Sequence, residues 1–570
     1  MAKYEIKDGV GIIPEGTTEI AKYAFENCEE LTSVIIPDTV TKIGFRAFIG
    51  CSGLTSIVIP QGVTEIEESA FLECVNLTSC IIPNTVTRIG WGAFEGCRNL
   101  KDVVISNSLT EFENDVFSGC KSLANIEIPD SVTKIGESAF LGAGLTSITI
   151  PQSVTEIGGR AFYGCANLAN CNIPSSVTVI ADDVFCKCCN LTDIIIPDAV
   201  IKIKMHAFYG CKSLTSLNIP ESVTDISEYA FEGCTGLQSI IVAAGNKQYD
   251  SRNNCNAIIE TETNQMICVS QKTIIPATVS DFTSIVITGI RKLPGISVED
   301  GNKKFDSRNN CNAVIETASN TLIAGTSATI IPDTVTSIAK EAFYGCTGLT
   351  SITIPASVEE ISSDAFKYCS ALVSIVVDAN NKKYSSPDNC NAIMEGGKLV
   401  VGCVNTVFPP KMKSIEDNAF VGCAGLTEMV IPEKVSSIGE KAFYECKNLK
   451  SISLPQSLKK IKDYAFAYCT SLTGITIPQG VTAIGDDAFS DSSLKEVTIL
   501  AQLKILKFDI FDGSPLEIVT IGPDVAKLKE PSSSMDNTLK AIYVDASKLD
   551  DYKNCLKYTR IAPFLKVLPA

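Results

Sequence analysis

A unit of about 23 residues, repeated along the chain with different polar residues, determines what this sequence can fold into. The unit is clearest at Leu54–Asn76, which reads LTSIVIPQGVTEIEESAFLECVN, and near-copies begin at Leu31 and Leu77. Self-similarity at a fixed period of a few tens of residues is the sequence signature of repeat architectures. The chain is therefore predicted to fold as a stack of similar coils.

The first half of the unit predicts two short extended sides. Leu54, Ile57 and Ile59 stand in a β-branched run with small or polar residues between them, which places them on the inner face of a strand. Pro60 follows and ends that strand, because proline cannot donate to a ladder. A second extended side follows at 63–66, where two apolar residues again point inward. We call these strands the first and second sides of the coil.

The second half of the unit closes the coil on a third side, which the sequence predicts to be irregular or a short helix. After a charged turn come Ala70 and Phe71, whose apolar side chains would fill the coil, and Cys74 closes it. One such unit buries too little apolar surface to offset the entropy of ordering it, so stability has to come from stacking on neighbours. The predicted fold class is a β-rich repeat solenoid.

Changes in the repeat predict five regions along the chain. An N-terminal cap with a partial coil precedes a long regular stretch, an irregular stretch, a second regular stretch and a degenerate C-terminal end. Three segments in the irregular stretch, beginning at Asn246, Asn302 and Asn381, each carry two apolar runs around a polar turn, which predicts β-hairpins. The segment from Asp545 predicts a short amphipathic helix in the C-terminal cap. The predicted regions are 1–30, 31–241, 242–413, 414–500 and 501–570.

Charge and hydropathy exclude two classes of partner. The formal net charge is −17 with a pI near 4.8, which argues against binding to nucleic acid or to anionic membrane surfaces. No apolar run approaches the length of a membrane span, so membrane insertion is not expected. The N-terminal residues carry no signal segment, which leaves a cytoplasmic location open beside removal of a leader.

The 24 cysteines form a pattern that favours packing over disulfide bonding. Fourteen of them recur three residues after the repeated phenylalanine, and we call these the cysteine column. A column of parallel side chains offers poor disulfide geometry, whereas a free cysteine packs as a small apolar residue. The cysteine column consists of Cys28, Cys51, Cys74, Cys97, Cys120, Cys165, Cys188, Cys211, Cys234, Cys346, Cys369, Cys423, Cys446 and Cys469.

The sequence offers little that predicts catalysis, a cofactor or a metal site. The single histidine, His206, lies at a turn position that is polar in other coils and is expected to be a solvated side chain. Cys186, Cys188 and Cys189 are a local cluster, but no second pair or nearby histidine completes a zinc site. We therefore predict a protein that is not an enzyme and has no catalytic residues, no cofactor and no bound metal.

Two surface features are candidates for protein binding. Four β-branched residues on the outer face of the first side form what we call the apolar stripe: Ile35, Val58, Ile81 and Val104. They either suit a sheet surface or form a docking patch. Phe45 and Trp91 share one turn position two coils apart and either anchor a partner or pack on a neighbouring coil.

The unit LTSIxIPxSVTxIGxxAFxGC, seen at Leu145–Phe162 and Leu349–Phe366, resembles the BspA-type leucine-rich repeats. The resemblance covers most of residues 12–500, and the segments at Asn253, Asn309 and Asn389 are similar to ones in proteins of gut Bacteroides-like bacteria. It implies a surface or secreted protein of bacterial type, several relatives of which are adhesins for host matrix proteins or other cells. No family catalytic residues carry over.

These observations leave three functional hypotheses. The first is a non-enzymatic protein-binding repeat protein, an adhesin-like surface or secreted protein that recognises host or neighbouring-cell proteins. The second is an intracellular scaffold, which suits reduced cysteines and the lack of a signal segment. The third and weaker one is a glycan-binding protein, for which the sequence shows no aromatic platform.

Overall fold

The computed structural model describes residues 4–530, 538–557 and 559–569. The chain divides between Gly289 and Ile290 into two compact units. Each unit is a stack of coils of about 23 residues with short strands on two sides and turns on the third, so the predicted β-rich repeat solenoid is confirmed. The predicted region boundaries remain predictions. Residues 531–537 and Tyr558, which belong to the predicted C-terminal cap, lie outside the described residues.

The first side of unit one is built from parallel strands in strict register. Ser56 pairs with Ser79 and Ser79 with Asp102, so equivalent residues of successive coils lie side by side. Inward residues are buried and their neighbours are exposed, as the alternation predicts. These strands are Val10–Ile12, Ser33–Ile35, Ser56–Val58, Ser79–Ile81, Asp102–Val104, Ser147–Ile148, Asn170–Cys171, Ser216–Ile219 and Ser239–Val242.

The second side of unit one consists of two-residue strands, also parallel. Each ends in a residue that faces the interior, such as Ile43 or Ile66, both fully buried. These strands are Glu19–Ile20, Lys42–Ile43, Glu65–Ile66, Arg88–Ile89, Glu111–Phe112, Lys134–Ile135, Glu156–Ile157, Val179–Ile180, Lys202–Ile203 and Asp225–Ile226.

The third side consists of turns held together by backbone hydrogen bonds and a phenylalanine column. The amide of Phe48 donates to Ala70 and that of Phe71 to Ala93, each at 2.8 Å. From Phe25 to Phe231, successive rings stack with centroids 5.1–5.8 Å apart. The rings fill the coil interior, so the turns need no helix to cover the core.

The cysteine column runs beside the rings. All fourteen members are buried, and none of the cysteines in the described ranges forms a disulfide. The Sγ of Cys74, for example, donates to the carbonyl of Phe48 in the preceding coil at 3.1 Å, and Cys97 does the same to Phe71 at 3.2 Å. Each of these carbonyl groups also accepts from a cysteine amide in its own coil, so the thiol supplies its second hydrogen bond.

Three β-hairpins interrupt the regular coils. In unit one, Ala257 pairs antiparallel with Val269. In unit two, Ala313 pairs with Gly325 and Ala392 with Gly402. The strands of these irregular coils are Tyr249–Asp250, Ala257–Glu260, Gln265–Val269, Ile274–Ile275, Asp281–Phe282, Ser297–Val298, Phe305–Asp306, Ala313–Glu316, Thr321–Gly325, Tyr384–Ser385, Ala392–Glu395 and Lys398–Gly402.

Unit two otherwise repeats the same plan. Its phenylalanine rings stack from Phe343 to Phe366, at 4.9 Å, and again from Phe420 to Phe511. First-side strands are Ser351–Ile354, Ser374–Val377, Glu428–Val430, Ser451–Ser453, Gly474–Ile477, Glu496–Ile499, Ile518–Ile521, Ala541–Val544 and Leu565–Val567. Second-side strands are Ser337–Ile338, Glu360–Ile361, Ser414–Ile415, Ser437–Ile438, Lys460–Ile461, Ala483–Ile484, Leu506–Lys507 and Leu528–Lys529.

Short helices and one further hairpin complete the fold. The predicted C-terminal helix is present at Leu549–Cys555, and Asp545 accepts a hydrogen bond from the amide of Ser547 just before it. At the other end, Glu5–Lys7 pairs antiparallel with Val10–Ile12, a hairpin that the sequence did not predict. The other helices are Ser284–Ile290 and the 3-10 turns Arg252–Asn254, Arg308–Asn310, Pro387–Asn389, Phe508–Phe511, Ala546–Lys548 and Ala562–Phe564.

Candidate protein-binding surface

The apolar stripe lies in the open on the first side of unit one. Its members Ile35, Val58, Ile81 and Val104 are 61%, 78%, 65% and 57% exposed. Val58 pairs with Ile81 and Ile81 with Val104 in the parallel ladder, so their side chains form a continuous row. Ile12 pairs with Ile35 and extends the row by one coil, which the sequence analysis did not include.

The stripe is exposed because the neighbouring residues already fill the interior. Val34, Ile57 and Cys80 precede the stripe residues by one position and are 8%, 6% and 1% exposed. Successive side chains of a strand point to opposite faces, so the stripe has to face outward. Exposed β-branched residues held by a rigid ladder present apolar area without further ordering on binding.

Threonine hydroxyl groups border the stripe and hold its backbone in place. The hydroxyl of Thr55 donates to the carbonyl of Thr32 at 3.3 Å, and that of Thr78 donates to Thr55 at 3.0 Å. These bonds tie each coil to the previous one at the start of its first-side strand. The polar border and the apolar row together resemble the rim and core of a protein interface.

Beyond Val104 the row becomes polar. Glu127 and Thr149 are exposed at the equivalent positions, and the amide of Asn172 forms two hydrogen bonds with the backbone of Ile150, at 2.7 and 2.8 Å. Single apolar residues return at Ile195, which is 75% exposed, and at Ile241, which is 55% exposed, but these two are not neighbours in the row. The continuous apolar surface is therefore confined to the first coils.

Phe45 and Trp91 lie on the third side, away from the stripe. The ring of Phe45 meets Tyr23 edge to face at 5.4 Å and lies under the guanidinium of Arg46. Trp91 is 52% exposed, and its Nε1 donates to Asp115 at 2.7 Å. The six predicted binding residues therefore lie on two different sides of the coil and do not form one surface.

Unit two has two tyrosine pairs, each with one exposed and one half-buried member, that the sequence analysis missed. Tyr344 and Tyr368 meet edge to face at 5.1 Å, and Tyr444 and Tyr468 do so at 5.3 Å. The hydroxyl of Tyr368 donates to Glu445 at 3.0 Å. Burial, and to a smaller extent this hydrogen bond, raises the pKa of Tyr368. The signal was available, since these tyrosines follow the repeated phenylalanine by one or two residues.

The candidate chemical groups do not converge on a reactive site. His206 is half-buried, with its Nδ1 3.5 Å from Asp183 and its ring between two tyrosines. The thiol of Cys188 donates to the carbonyl of Phe162, and burial raises the pKa of Cys186 to about 11. In the described part of the chain no group of three or more potential metal ligands comes together. No described helix has the length and apolar character needed to cross a membrane.

Comparison with solved structures gave several repeat proteins of bacteria. A leucine-rich repeat protein from Bacteroides ovatus is 25% identical over 78% of this chain and 86% of that one, with a TM-score of 0.32. The leucine-rich repeat protein of T. pallidum is 35% identical over 28% of this chain and 78% of that one, with a TM-score of 0.27. A leucine-rich cell surface protein from Faecalibacterium prausnitzii is 23% identical over 84% of this chain and 88% of that one, with a TM-score of 0.27.

Comparison with protein families gave a match along most of the chain. A comparison with curated protein sequences, by contrast, gave no match. The family model described as the BspA type leucine-rich repeat region matches residues 18–144, 114–238, 324–390 and 402–530. These ranges include the stripe and the stacked phenylalanine rings of both units. The resemblance seen in the sequence is confirmed, and the chain belongs to the BspA-type leucine-rich repeat family.

Proposed function

We propose that this chain is a non-enzymatic protein-binding repeat protein that acts as an adhesin-like protein at a bacterial surface and recognises proteins of a host or of neighbouring cells. The observation that carries the proposal is the apolar stripe. Four exposed β-branched side chains in adjacent coils offer a contiguous apolar patch, which is unusual on a protein surface that meets only water. Membership of the BspA-type family supports a protein-interaction role.

The charge of the chain fits the same proposal. With a net charge of −17, the protein repels anionic surfaces, so binding through the stripe depends on apolar contact and on partners that are neutral or basic. The rigid ladder behind the stripe reduces the ordering cost of association. Phe45 and Trp91 would belong to a second contact region on the third side.

The test is a comparison of two charge-substituted variants in capture from host matrix and cell-surface extracts. The stripe variant carries Ile35→Lys, Val58→Lys, Ile81→Lys and Val104→Lys. The control variant carries Ile195→Lys and Ile241→Lys, which are equally exposed first-side positions outside the stripe. We expect that some proteins are retained by the native chain and by the control variant but are not retained by the stripe variant.

Equal capture by all three chains would remove the stripe from the proposal. No capture by any of them would overturn the protein-binding role and direct attention to the tyrosine pairs and to glycans. Circular dichroism spectra and melting curves of each variant establish that the fold is retained.

A second candidate, an intracellular scaffold, is favoured by the cysteine column. Its fourteen buried thiols all lie free in the structure, which suits a reducing compartment. Thiol titration of protein taken from its native compartment separates the two candidates. Cysteines found mostly oxidised there would contradict the scaffold, and cysteines found fully reduced would favour it.

A further inference from the structure

The first-side ladder of unit one opens at residues 124–128. In the preceding coils the amides of Thr55, Thr78 and Lys101 each donate to the residue one coil earlier, at 3.2, 3.1 and 2.9 Å. The equivalent amide of Ala124 donates to nothing in the described part of the chain, and the same is true of the amides of the next four residues. A row of unpaired backbone groups therefore lines the end of the apolar stripe.

The opening lies in a shortened coil. The interval from Leu123 to Leu145 is one residue less than the interval from Leu100 to Leu123. Thr146 still donates to the carbonyl of Ala124 at 2.9 Å, so the coils meet at the start of the strand and part beyond it. The residues that part have the same apolar pattern as their neighbours and would otherwise pair as a strand.

The parted coils form a groove of about 750 Å³ with an apolar floor. Val103 and Ile128, which line it, are half-buried, whereas the equivalent inward residues Ile57 and Ile82 are 6% and 2% exposed. The coil at 192–196 also lacks a regular strand, but Ile196, the equivalent of Ile128, is 4% exposed. The groove is thus a feature of the 124–128 coil and not of every irregular coil.

The rim of the groove is acidic. Asp102, Glu127 and Asp130 line it and are exposed, and Lys101 is the basic residue among the lining side chains. Unpaired backbone groups in an extended segment recruit an added strand, in which main-chain hydrogen bonds give affinity and alternate side chains give specificity. An apolar floor below an acidic rim selects a strand whose apolar side chains alternate with basic ones.

We propose that the groove binds an extended peptide segment of a partner protein, in which apolar and basic side chains alternate, as a strand added beside Ala124–Glu127. The inference rests on the proposed protein-binding function and assigns it a second contact directly beside Val104. The apolar side chains of the segment cover Val103 and Ile128, and its lysine or arginine side chains pair with Asp102 and Glu127.

The probe for this site is a fluorescein-labelled heptapeptide of alternating lysine and valine, titrated into the full chain and followed by fluorescence anisotropy. A matched peptide with glutamate in place of lysine is expected not to bind. Two further peptides carry N-methyl groups on alternate residues. In one peptide the methyl groups block the amides along one backbone edge, and in the other they block the amides along the opposite edge. Methylation of the edge that pairs with the groove is expected to abolish binding, and methylation of the other edge is expected to leave it.

Protein variants locate the binding. The pair Asp102→Lys and Glu127→Lys is expected to weaken binding of the lysine peptide by about tenfold or more. The control Asp193→Lys removes an exposed aspartate at the position equivalent to Asp102 in another coil and is expected to leave the affinity within about twofold. The milder pair Asp102→Asn and Glu127→Gln serves as a second test. Its affinity for the lysine peptide should lie between the affinities of the charge-reversed pair and of the control.

Equal loss or retention of binding with both methylation patterns would overturn strand addition, and equal affinity of the groove and control variants would overturn this location. The variant Ile35→Lys, Val58→Lys and Ile81→Lys leaves the groove unchanged and should bind the peptide normally. Peptide binding that fails while stripe-dependent capture persists overturns only this inference. Capture that is equal in the native chain and the stripe variant, while the peptide still binds, overturns only the proposed role of the stripe.

Discussion

The ring of Phe48 stacks face to face on the ring of Phe71, with 5.1 Å between centroids and 2° between planes. Both side chains are fully buried, and each ring also stacks on the next ring outward, Phe25 on one side and Phe94 on the other. A ring in the middle of the column therefore contacts two equivalents of itself. This makes each coil depend on both neighbours, which is the cooperativity expected of a solenoid.

Replacing Phe71 with alanine is expected to lower the free energy of unfolding of the surrounding coils by about 3–5 kcal/mol, because it leaves a cavity between two rings. Hydrogen exchange of amides in the 40–100 region measures this local loss. The control Val58→Ala truncates a side chain that is 78% exposed and should change protection by less than about 0.5 kcal/mol. Similar protection in the two variants would contradict a structural role for the column.

In the native protein the thiols are expected to be almost unreactive. Cys555 is exposed, whereas the cysteine column is buried, and burial raises the pKa of Cys97 far above its ordinary value. The thiolate is the reactive form. Titration with a chromogenic disulfide reagent at pH 8 should therefore show Cys555 reacting rapidly, the half-buried Cys171 and Cys189 reacting more slowly, and all 24 thiols only after denaturation. Cys555→Ser should remove the rapid phase, and more than two reactive thiols in that native variant would contradict the buried column.

Alkaline pH is expected to destabilise the fold. Burial raises the pKa of Cys80 from an ordinary value of 9.0 to about 12. Between pH 9 and pH 12 the unfolded chain releases the thiol proton and the folded chain retains it. The contribution of this thiol to the free energy of unfolding is therefore fully present below pH 9 and is lost as the pH rises above that value. At pH 10 this one thiol contributes a loss of about 1 kcal/mol.

The Cys80→Val variant isolates that contribution, since valine fits a strand position that holds isoleucine in other coils. Urea unfolding of both chains in reducing agent at pH 8 and pH 10 measures it. The stability that the variant loses between these pH values should be about 1 kcal/mol smaller than the loss of the native chain. Equal losses would mean that Cys80 ionises in the folded protein as it does in water.

Tyr552 holds the C-terminal helix on the last coils. Its side chain is fully buried, and its hydroxyl donates to the carbonyl of Val525 at 2.5 Å. Tyr552→Phe removes the donor and leaves a buried carbonyl unpaired, so protection of the C-terminal coils should fall by about 1–2 kcal/mol in hydrogen exchange. Lys553→Ala, at the exposed neighbouring position, is the control. A loss confined to the lysine variant would contradict this role of the hydroxyl.

The repeat allowed much of the fold to be predicted, because each inward position recurs. Leu54, Ile57 and Ile59 are buried as the alternation indicated, and Phe71 fills the coil. The sequence also placed the stripe residues on an exposed face. Whether they bind a partner stays a prediction, because exposure is a property of the strand and affinity depends on a second molecule.

Two features escaped the sequence because they depend on hydrogen bonds between coils. The N-terminal hairpin of Glu5–Lys7 forms because Val10–Ile12 is the outermost strand and its free edge accepts a partner. The open coil at Ala124 carries an ordinary apolar pattern, and its missing residue lies about twenty positions later, next to Ala143. Local pattern does not reveal where two neighbouring strands part.

The register of the ladder also bears on how such a chain changes in length. Ser56 and Ser79 are paired, and the residues between them make up one complete coil whose ends join equivalent positions. Recombination between gene segments that encode neighbouring coils would insert or delete whole coils and leave every remaining contact type intact. Adding a coil inside the stripe would lengthen the apolar row by one residue, so the reach of this surface is set by the number of coils and can be altered without redesigning the interior.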